Sequence, residues 1–219
     1  MKNNAWHHIK PSDYDAHMSH PNVAQAQMLS KIMKEQFELI SAERRSSSCA
    51  AILGIANGNG LEHAALSGLA KIIGIDINKA FLDECKLRFA EIESRLSLHQ
   101  IDLMTETSKA IKALLDCDLI IANLLIKHIH LDNFAKIVAG MPKRDRIISC
   151  VIQVNLDGAA VSKSSFEHFF EAIADQRWEE DEGMIIEALS QNGYAASSRI
   201  VYDLPNGKQF VRLDFMKSV

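Results

Sequence analysis

The stretch AAILGIANGNGLEHAALSG, residues 50 to 68, decides how the rest of the chain is read. An apolar run passes into three small residues at alternate positions, Ala56, Gly58 and Gly60, and then into a segment with helical patterning. Small residues at that spacing keep side chains out of a space that something else must enter, and glycine also reaches turn conformations closed to other residues. A strand opening through such a turn onto a helix is a usual ligand corner of an open α/β sheet, because backbone N–H groups face the ligand there.

Outward from this corner, strand-like and helical segments alternate. Strand-like runs occur at AAILGI (50–55), KIIGID (71–76), LSLHQID (96–102), DLIIAN (118–123) and RIISCVIQ (146–153). Between them lie helical patterns, the clearest being KAFLDECKLRFAEIESR, where Leu82, Cys85, Phe89 and Ile92 share a face. The alternation predicts right-handed crossovers and a mainly parallel sheet covered on both faces. Ahead of the first strand, NVAQAQMLSKIMKEQFELIS puts Val23, Ala26, Leu29, Ile32, Met33, Gln36, Phe37 and Ile40 on one helical stripe. In the tail, two strand-like runs flank Asn206-Gly207, a strong hairpin signal.

Bulk properties narrow the function classes. A chain of 219 residues with 47% hydrophobic residues builds one sizeable core, and its apolar runs fall short of the ~20 residues that span a bilayer. No membrane segment is expected, and the polar start lacks the apolar core of a secretory signal, so a cytoplasmic protein is expected. Four scattered cysteines without a C-x-x-C pair fit a reduced compartment rather than a disulfide scaffold or zinc site. A net charge of -4 offers no positive field for a phosphate backbone, which disfavours nucleic acid as a partner.

Asp76 closes the second strand-like run, 16 residues after Gly60, where an acid can accept both hydroxyls of a ribose. With the small-residue turn, it predicts a nucleoside-type ligand. A dinucleotide fingerprint wants a further glycine where His63 stands, which argues against NAD or FAD, and no Gly-Lys-Ser/Thr follows to make a Walker loop.

At these residues the chain resembles the class I S-adenosylmethionine-dependent methyltransferases, whose first motif is an acid, an apolar residue and then Gly-x-Gly-x-Gly. The resemblance covers roughly residues 50 to 217. It implies an α/β, Rossmann-like, doubly wound, mainly parallel seven-stranded sheet with a C-terminal antiparallel hairpin, and S-adenosylmethionine as cofactor. It also implies that Ala56, Gly58 and Gly60 take the glycine positions around the cofactor, with Asn57 among them, while Gly54 stands where the family usually has Asp or Glu. Asp76 matches the ribose-binding acid, with Ile77 against the adenine ring. Asp102 matches the acceptor for the adenine amino group, with Leu103 donating its backbone N–H. In DLIIANLLIKHI, Ala122 and Asn123 would flank the reactive methyl, and His128 would open the next helix over the site.

Methyl transfer depends mainly on aligning nucleophile and methyl and excluding water, with a base needed only for a protonated acceptor. His128 is the catalytic candidate, since imidazole titrates near neutrality. His130, two residues on, does not share its helix face, so HIH is not a metal pair and no metal is expected. The arm WHHIKPSDYDAHM is expected to act as a lid, Tyr14 and His17 hydrogen-bonding inward. The expected organisation is therefore an arm and helix over residues 1–45 and a cofactor-binding methyltransferase domain over 46–219. Phe166, Phe169, Phe170 and Ile173, at helical spacing, are expected as core rather than acceptor pocket, and the run Glu179 to Glu182 as a solvated helix start.

The short chain favours a small-molecule acceptor. A protein or RNA acceptor is the alternative, although Asn123-Leu124-Leu125-Ile126 lacks the Asn/Asp-Pro-Pro-aromatic pattern of amino-directed base methylases and no Pro-Cys pair is present. A non-catalytic cofactor-binding protein is the remaining alternative, raised by the missing acid at Gly54. No residue fixes the acceptor atom or the oligomeric state.

Overall fold

A computed structural model of the protein describes residues 4–155, 164–174 and 177–218. The strands are β1 (Cys49–Leu53), β2 (Lys71–Asp76), β3 (Leu96–Gln100), β4 (Leu119–Asn123), β5 (Ile147–Asn155), β6 (Tyr194–Asp203) and β7 (Lys208–Lys217). They form one sheet in the order β3-β2-β1-β4-β5-β7-β6. The first five are parallel, and β7 runs antiparallel to both β5 and β6. Strand order reverses between β1 and β4, which opens a crevice at their carboxyl ends.

Each predicted strand is present with small shifts at its ends. β1 stops at Leu53 rather than Ile55 because Gly54 turns to φ +68. β3 ends two residues before Asp102, and β5 runs on to Asn155. The hairpin turns at Pro205–Gly207, where Gly207 has φ +67. β1 is buried along its whole length, as its unbroken apolar sequence requires at the centre of a sheet covered on both faces. Ala51 and Leu53 join Ile73, Ile75, Ile120 and Ala122 in one core, while Ala50 and Ile52 join Ile72, Leu119 and Ile121 in the other, following the two-residue period of a strand.

The helices used below are α1 (Pro11–Met18), α2 (Gln25–Phe37), α3 (Lys79–Arg88), α4 (Thr107–Leu114), α5 (Ile126–Ile129), α6 (Leu131–Gly140) and α7 (Glu182–Ser190). The stripe from Val23 to Ile40 yields the shorter α2, since Ala24 takes a left-handed φ of +50 just before it. The helix expected after Gly60 is only a turn at Leu61–His63 and four residues, Ala64–Ser67, ended by Gly68 at φ +72. That corner therefore has no long helix whose dipole could hold an anion. The run Glu179 to Glu182 starts a helix as expected, Asp181 capping α7 by accepting from Met184 N, but Glu180 departs from a solvated face: it is 5% exposed and accepts the Leu131 N–H.

Gln36, counted in the apolar stripe, is fully buried for a polar reason. Its amide exchanges two hydrogen bonds with Asn123 at the end of β4 and donates a third to Ser149 Oγ. Ser149 donates to Asp214, which is held by the Arg212 guanidinium, and Arg212 also reaches Glu35 at 2.9 Å. A buried ion pair is tolerated when further hydrogen bonds satisfy it, and this network ties α2 across β4, β5 and β7. Among the described residues no helix is long and apolar enough to cross a membrane.

Candidate active site

The crevice at the strand-order reversal is a half-open cavity of about 180 Å³. Its walls bring together Gly54, Ala56, Asp76, Ile77, Asp102, Leu103, Asn123, His128, Tyr14 and His17. These come from the ends of four adjacent strands and from the N-terminal arm, so residues up to 114 positions apart meet because the topology returns each parallel strand to the same edge.

Asp76 is the most tightly placed of them. One carboxylate oxygen accepts from Ala56 N at 2.9 Å and the other from Asn78 N at 2.8 Å. It thereby binds the β1 loop to the end of β2 and is not a helix cap, a task that Asn78 performs for α3. Burial pushes its carboxyl up to about 6, against the pull of the Asn78, Ala56 and Ile77 amides. Asp102 accepts from Met104 N and Thr105 Oγ1, while its own N–H donates to Glu106, so it also shapes the turn leading into α4.

The arm closes the other side. Trp6 meets His128 edge to face with centroids 5.0 Å apart, and Tyr14 packs on Phe81 at 5.2 Å. Asn78 anchors the arm: its Nδ2 donates to Trp6 O and Ile9 O, both at 2.8 Å, while its Oδ1 caps α3. Serine at position 78 can keep the cap but cannot supply the two donors. An Asn78→Ser protein is therefore expected to show faster amide hydrogen exchange over residues 5–9 with protection of α3 unchanged; equal loss in both segments would reduce Asn78 to a cap.

His128 is the third residue of α5 rather than its first, and its Nδ1 is buried without a partner among the described residues. Burial pushes its pKa down to about 4, and Arg177 and Lys127 push it the same way, so the ring is neutral at neutral pH. Its neighbour His130 instead accepts from Asp132 N and caps α6. His17 bonds Ser164 Oγ at 2.8 Å and lies against Phe170, and burial lowers its pKa to about 4 as well. Burial raises the Tyr14 phenol, which keeps its proton.

No family model matches the sequence, and no curated protein matches it. Solved structures match it in fold. Magnesium protoporphyrin IX methyltransferase from Synechocystis PCC 6803 with bound SAM is 11% identical, over 94% of this chain and 90% of that one, at a TM-score of 0.62. The 1,6-didemethyltoxoflavin-N1-methyltransferase of Burkholderia thailandensis, with its 1,6-didemethyltoxoflavin and S-adenosylhomocysteine, is 13% identical over 95% and 87%, at 0.63. Geranyl diphosphate C-methyltransferase of Streptomyces coelicolor A3(2) is 12% identical over 90% and 83%, also at 0.63. The chain has the class I methyltransferase fold.

Within this methyltransferase fold, the loop after β1 takes left-handed φ at Gly54, Ala56, Gly58 and Gly60. Gly54, which the resemblance matches to an acid, has φ +68, and a Cβ there would stand 3.0 Å from Leu125 Cδ1. Ala56, at the first glycine position, is held at φ +49 with its N–H committed to Asp76. A side chain in the left-handed region costs roughly 1–2 kcal/mol, so Ala56→Gly is expected to raise the melting temperature by about 2–6 °C in a thermal scan. A lowered value would mean that the Ala56 methyl packs more favourably than its backbone is strained.

Asn57, Gly58 and Gly60 are not among the cavity walls. A Cβ on Gly58 would meet Phe89 at 2.4 Å, and one on Gly60 would meet Met33 Cβ at 2.4 Å, so α2 and the end of α3 supply the close approach at these glycines. Asn57 is fully buried, and neither end of its amide has a partner among the described residues. Conversely, Lys127, Gln153, Phe170, Ile173 and Arg177 line the cavity without having been singled out as site residues. The helical spacing of Phe170 and Ile173 was visible, and both are buried, but as cavity wall as well as core. The side chain of Phe169 lies outside the described residues. Lys127 and Arg177 carry no periodic signal.

Proposed function

We propose that the protein is an S-adenosylmethionine-dependent methyltransferase acting on a small-molecule acceptor. The observation that carries this reading is the carboxylate of Asp76, fixed by two backbone amides at the carboxyl end of β2 and lining the crevice beside the strand-order reversal. The residues present fit the cofactor. Asp76 keeps lone pairs for ribose hydroxyls, Ile77 and Leu103 offer apolar edges to adenine, and Asp102 lies beside them. The two residues of the loop after β1 that line the cavity, Gly54 and Ala56, carry nothing longer than a methyl.

The bound sulfonium supplies a methyl carbon already activated for displacement. The protein's own part is orientation and water exclusion. Asn123 is locked by its paired amide bonds to Gln36, so its position at the end of β4 is set before any ligand arrives. A neutral His128, whose buried Nδ1 has no partner among the described residues, accepts or donates a hydrogen bond to an acceptor that reaches it. A pKa near 4 makes it a weak base, better suited to orienting an acceptor than to removing a tightly held proton. The arm, through Trp6 and Tyr14, roofs the cavity, which suits a small acceptor better than a continuous polymer.

Calorimetry with S-adenosylhomocysteine and with NAD tests the cofactor, and transfer of a labelled methyl into metabolite, RNA and protein pools tests the acceptor class. Binding of S-adenosylhomocysteine with label entering the metabolite pool is expected. Preference for NAD would overturn the reading, label in RNA or protein would transfer it to a macromolecule, and binding without any turnover would make this a cofactor-binding protein.

A further inference from the structure

At the amino ends of the strands, opposite the cavity, two of the four cysteines meet. Cys49 opens β1, Cys117 lies two residues before β4, and their Sγ atoms are 3.0 Å apart although the residues are 68 positions apart in the chain. A disulfide's S–S separation is about 2.0 Å, so roughly 1 Å of approach separates the pair from a bond. Hydrogen bonds hold the two residues together. The Asp118 N–H donates to Cys49 O at 2.8 Å, the Cys49 N–H donates to the Asp118 carboxylate at 2.9 Å, and Arg146 Nε donates to Cys117 O at 2.7 Å. Cys49 follows the exposed Ser47 by two positions and Cys117 directly follows the exposed Asp116, so the pair lies just beneath the surface at the amino edge of the sheet. Cys85 and Cys150 are fully buried, and neither meets another sulfur among the described residues.

The two sulfurs are also chemically unlike. The Cys117 S–H donates to Cys49 and, with Lys71 helping, holds the Cys49 thiol below its ordinary value against the effect of burial; the same bond and burial raise the Cys117 thiol. Since the thiolate is the nucleophile, Cys49 is the attacking sulfur and Cys117 the resolving one. We propose that Cys49 and Cys117 form a redox site for hydrogen peroxide, closing into a disulfide that ties β1 to β4. The Cys49 thiolate attacks one peroxide oxygen, the O–O bond breaks, and the departing hydroxide takes up the proton released by Cys49, leaving a sulfenic acid. The Cys117 sulfur then attacks Cys49 Sγ, the S–O bond breaks, and the Cys117 proton leaves with that oxygen as water. Two thiols lose two electrons in all, and one peroxide is reduced to two waters. The bridge falls on the seam where strand order reverses: β1 and β4 register three residue pairs, against five for β1 with β2 and five for β4 with β5. Neither cysteine is a cavity wall, so the bridge acts on stability and leaves the site as it is.

The test is treatment of the fully reduced, full-length protein with hydrogen peroxide, with glutathione oxidised in parallel as a control for the reagent. Intact mass of the single chain is expected to fall by two hydrogens, and non-reducing peptide mapping to give Cys49 linked to Cys117, with Cys85 and Cys150 still open to alkylation after unfolding. Dithiothreitol should reverse the change. A bridge closing so long a loop should raise the melting temperature by roughly 4–12 °C. Cys117→Ala is expected to stop the reaction at a Cys49 sulfenic acid, labelled by a cyclic diketone, while Cys49→Ala leaves Cys117 unlabelled. No linked peptide under conditions that oxidise glutathione overturns the proposal, and so does oxygen added to either sulfur of the unaltered protein without linkage. Linkage with a lowered melting temperature would overturn the stabilising bridge, and a diketone label on Cys117 in Cys49→Ala would overturn the assigned roles; mapping of the unaltered protein decides the linkage whether or not the variants fold.

Discussion

Gly60→Ala is expected to unfold roughly 5–15 °C below the unaltered protein, the largest stability loss of any single methyl added to the first-motif loop. Gly60 has φ +89, a conformation that costs an alanine about 1–3 kcal/mol, and the new Cβ would stand 2.4 Å from Met33 Cβ and 2.8 Å from its Cγ. Overpacking of that kind adds about 1–3 kcal/mol. Met33 Cβ is fixed to the backbone of α2, so shortening the side chain by Met33→Ala should not rescue the variant. Gly58→Ala meets a different obstacle, the ring of Phe89, and a second change, Phe89→Leu, should recover part of its loss. Calorimetric melting of the four variants checks the pattern. If either glycine variant melted normally and lost only ligand binding, the glycine would be serving a ligand and not the packing of α2 or α3.

Those glycines show where sequence reading reaches its limit. Strand spans and the mainly parallel sheet were legible because the apolar runs of a parallel sheet are punctuated by helical patterns, the seven-stranded form followed from the family resemblance, and the acid at Asp76 was legible because it ends such a run. The expected seven-stranded sheet with its C-terminal hairpin is the observed one. A glycine, however, records only that space or a positive φ is needed, and the sequence does not say whether a ligand or Met33 takes the space. Gln36 had the opposite problem: its place on an apolar stripe was visible, but the partner that makes its burial favourable, Asn123, lies 87 residues away. Glu180 sat in a run of acids whose local reading is a solvated face, until the Leu131 N–H from the start of α6 was brought against it. Arg177 and Lys127 belong to the same class, because polar side chains that converge only in three dimensions leave no periodic trace.

Asp76→Asn is expected to weaken S-adenosylhomocysteine binding at least ten-fold at neutral pH and to flatten its dependence on pH. The ordinary side-chain value is 3.8, and burial raises it to about 6 in the folded protein. A carboxyl raised in this way favours folding most when protonated, so its contribution to stability is full below about 3.8 and is lost as pH rises through about 6. Ribose hydroxyls act in the opposite sense, since they donate to the ionised carboxylate and stabilise it. Affinity should therefore be flat above about pH 7 and fall as pH drops through about 6, with proton release on binding near the midpoint. Hydrogen bonds to a charged group contribute about 1.5–3 kcal/mol, which corresponds to roughly ten- to hundred-fold in affinity. Asparagine keeps the shape but replaces one acceptor oxygen with an N–H₂ that cannot accept from both Ala56 and Asn78, so a modest loss of loop order accompanies the loss of charge. Isothermal titration between about pH 5 and pH 8, in two buffers of different ionisation enthalpy, measures affinity and proton release together. PH-independent binding by the unaltered protein, or equal affinity in a folded Asp76→Asn variant, would remove Asp76 from the ligand site and leave it as the clasp between β2 and the loop after β1.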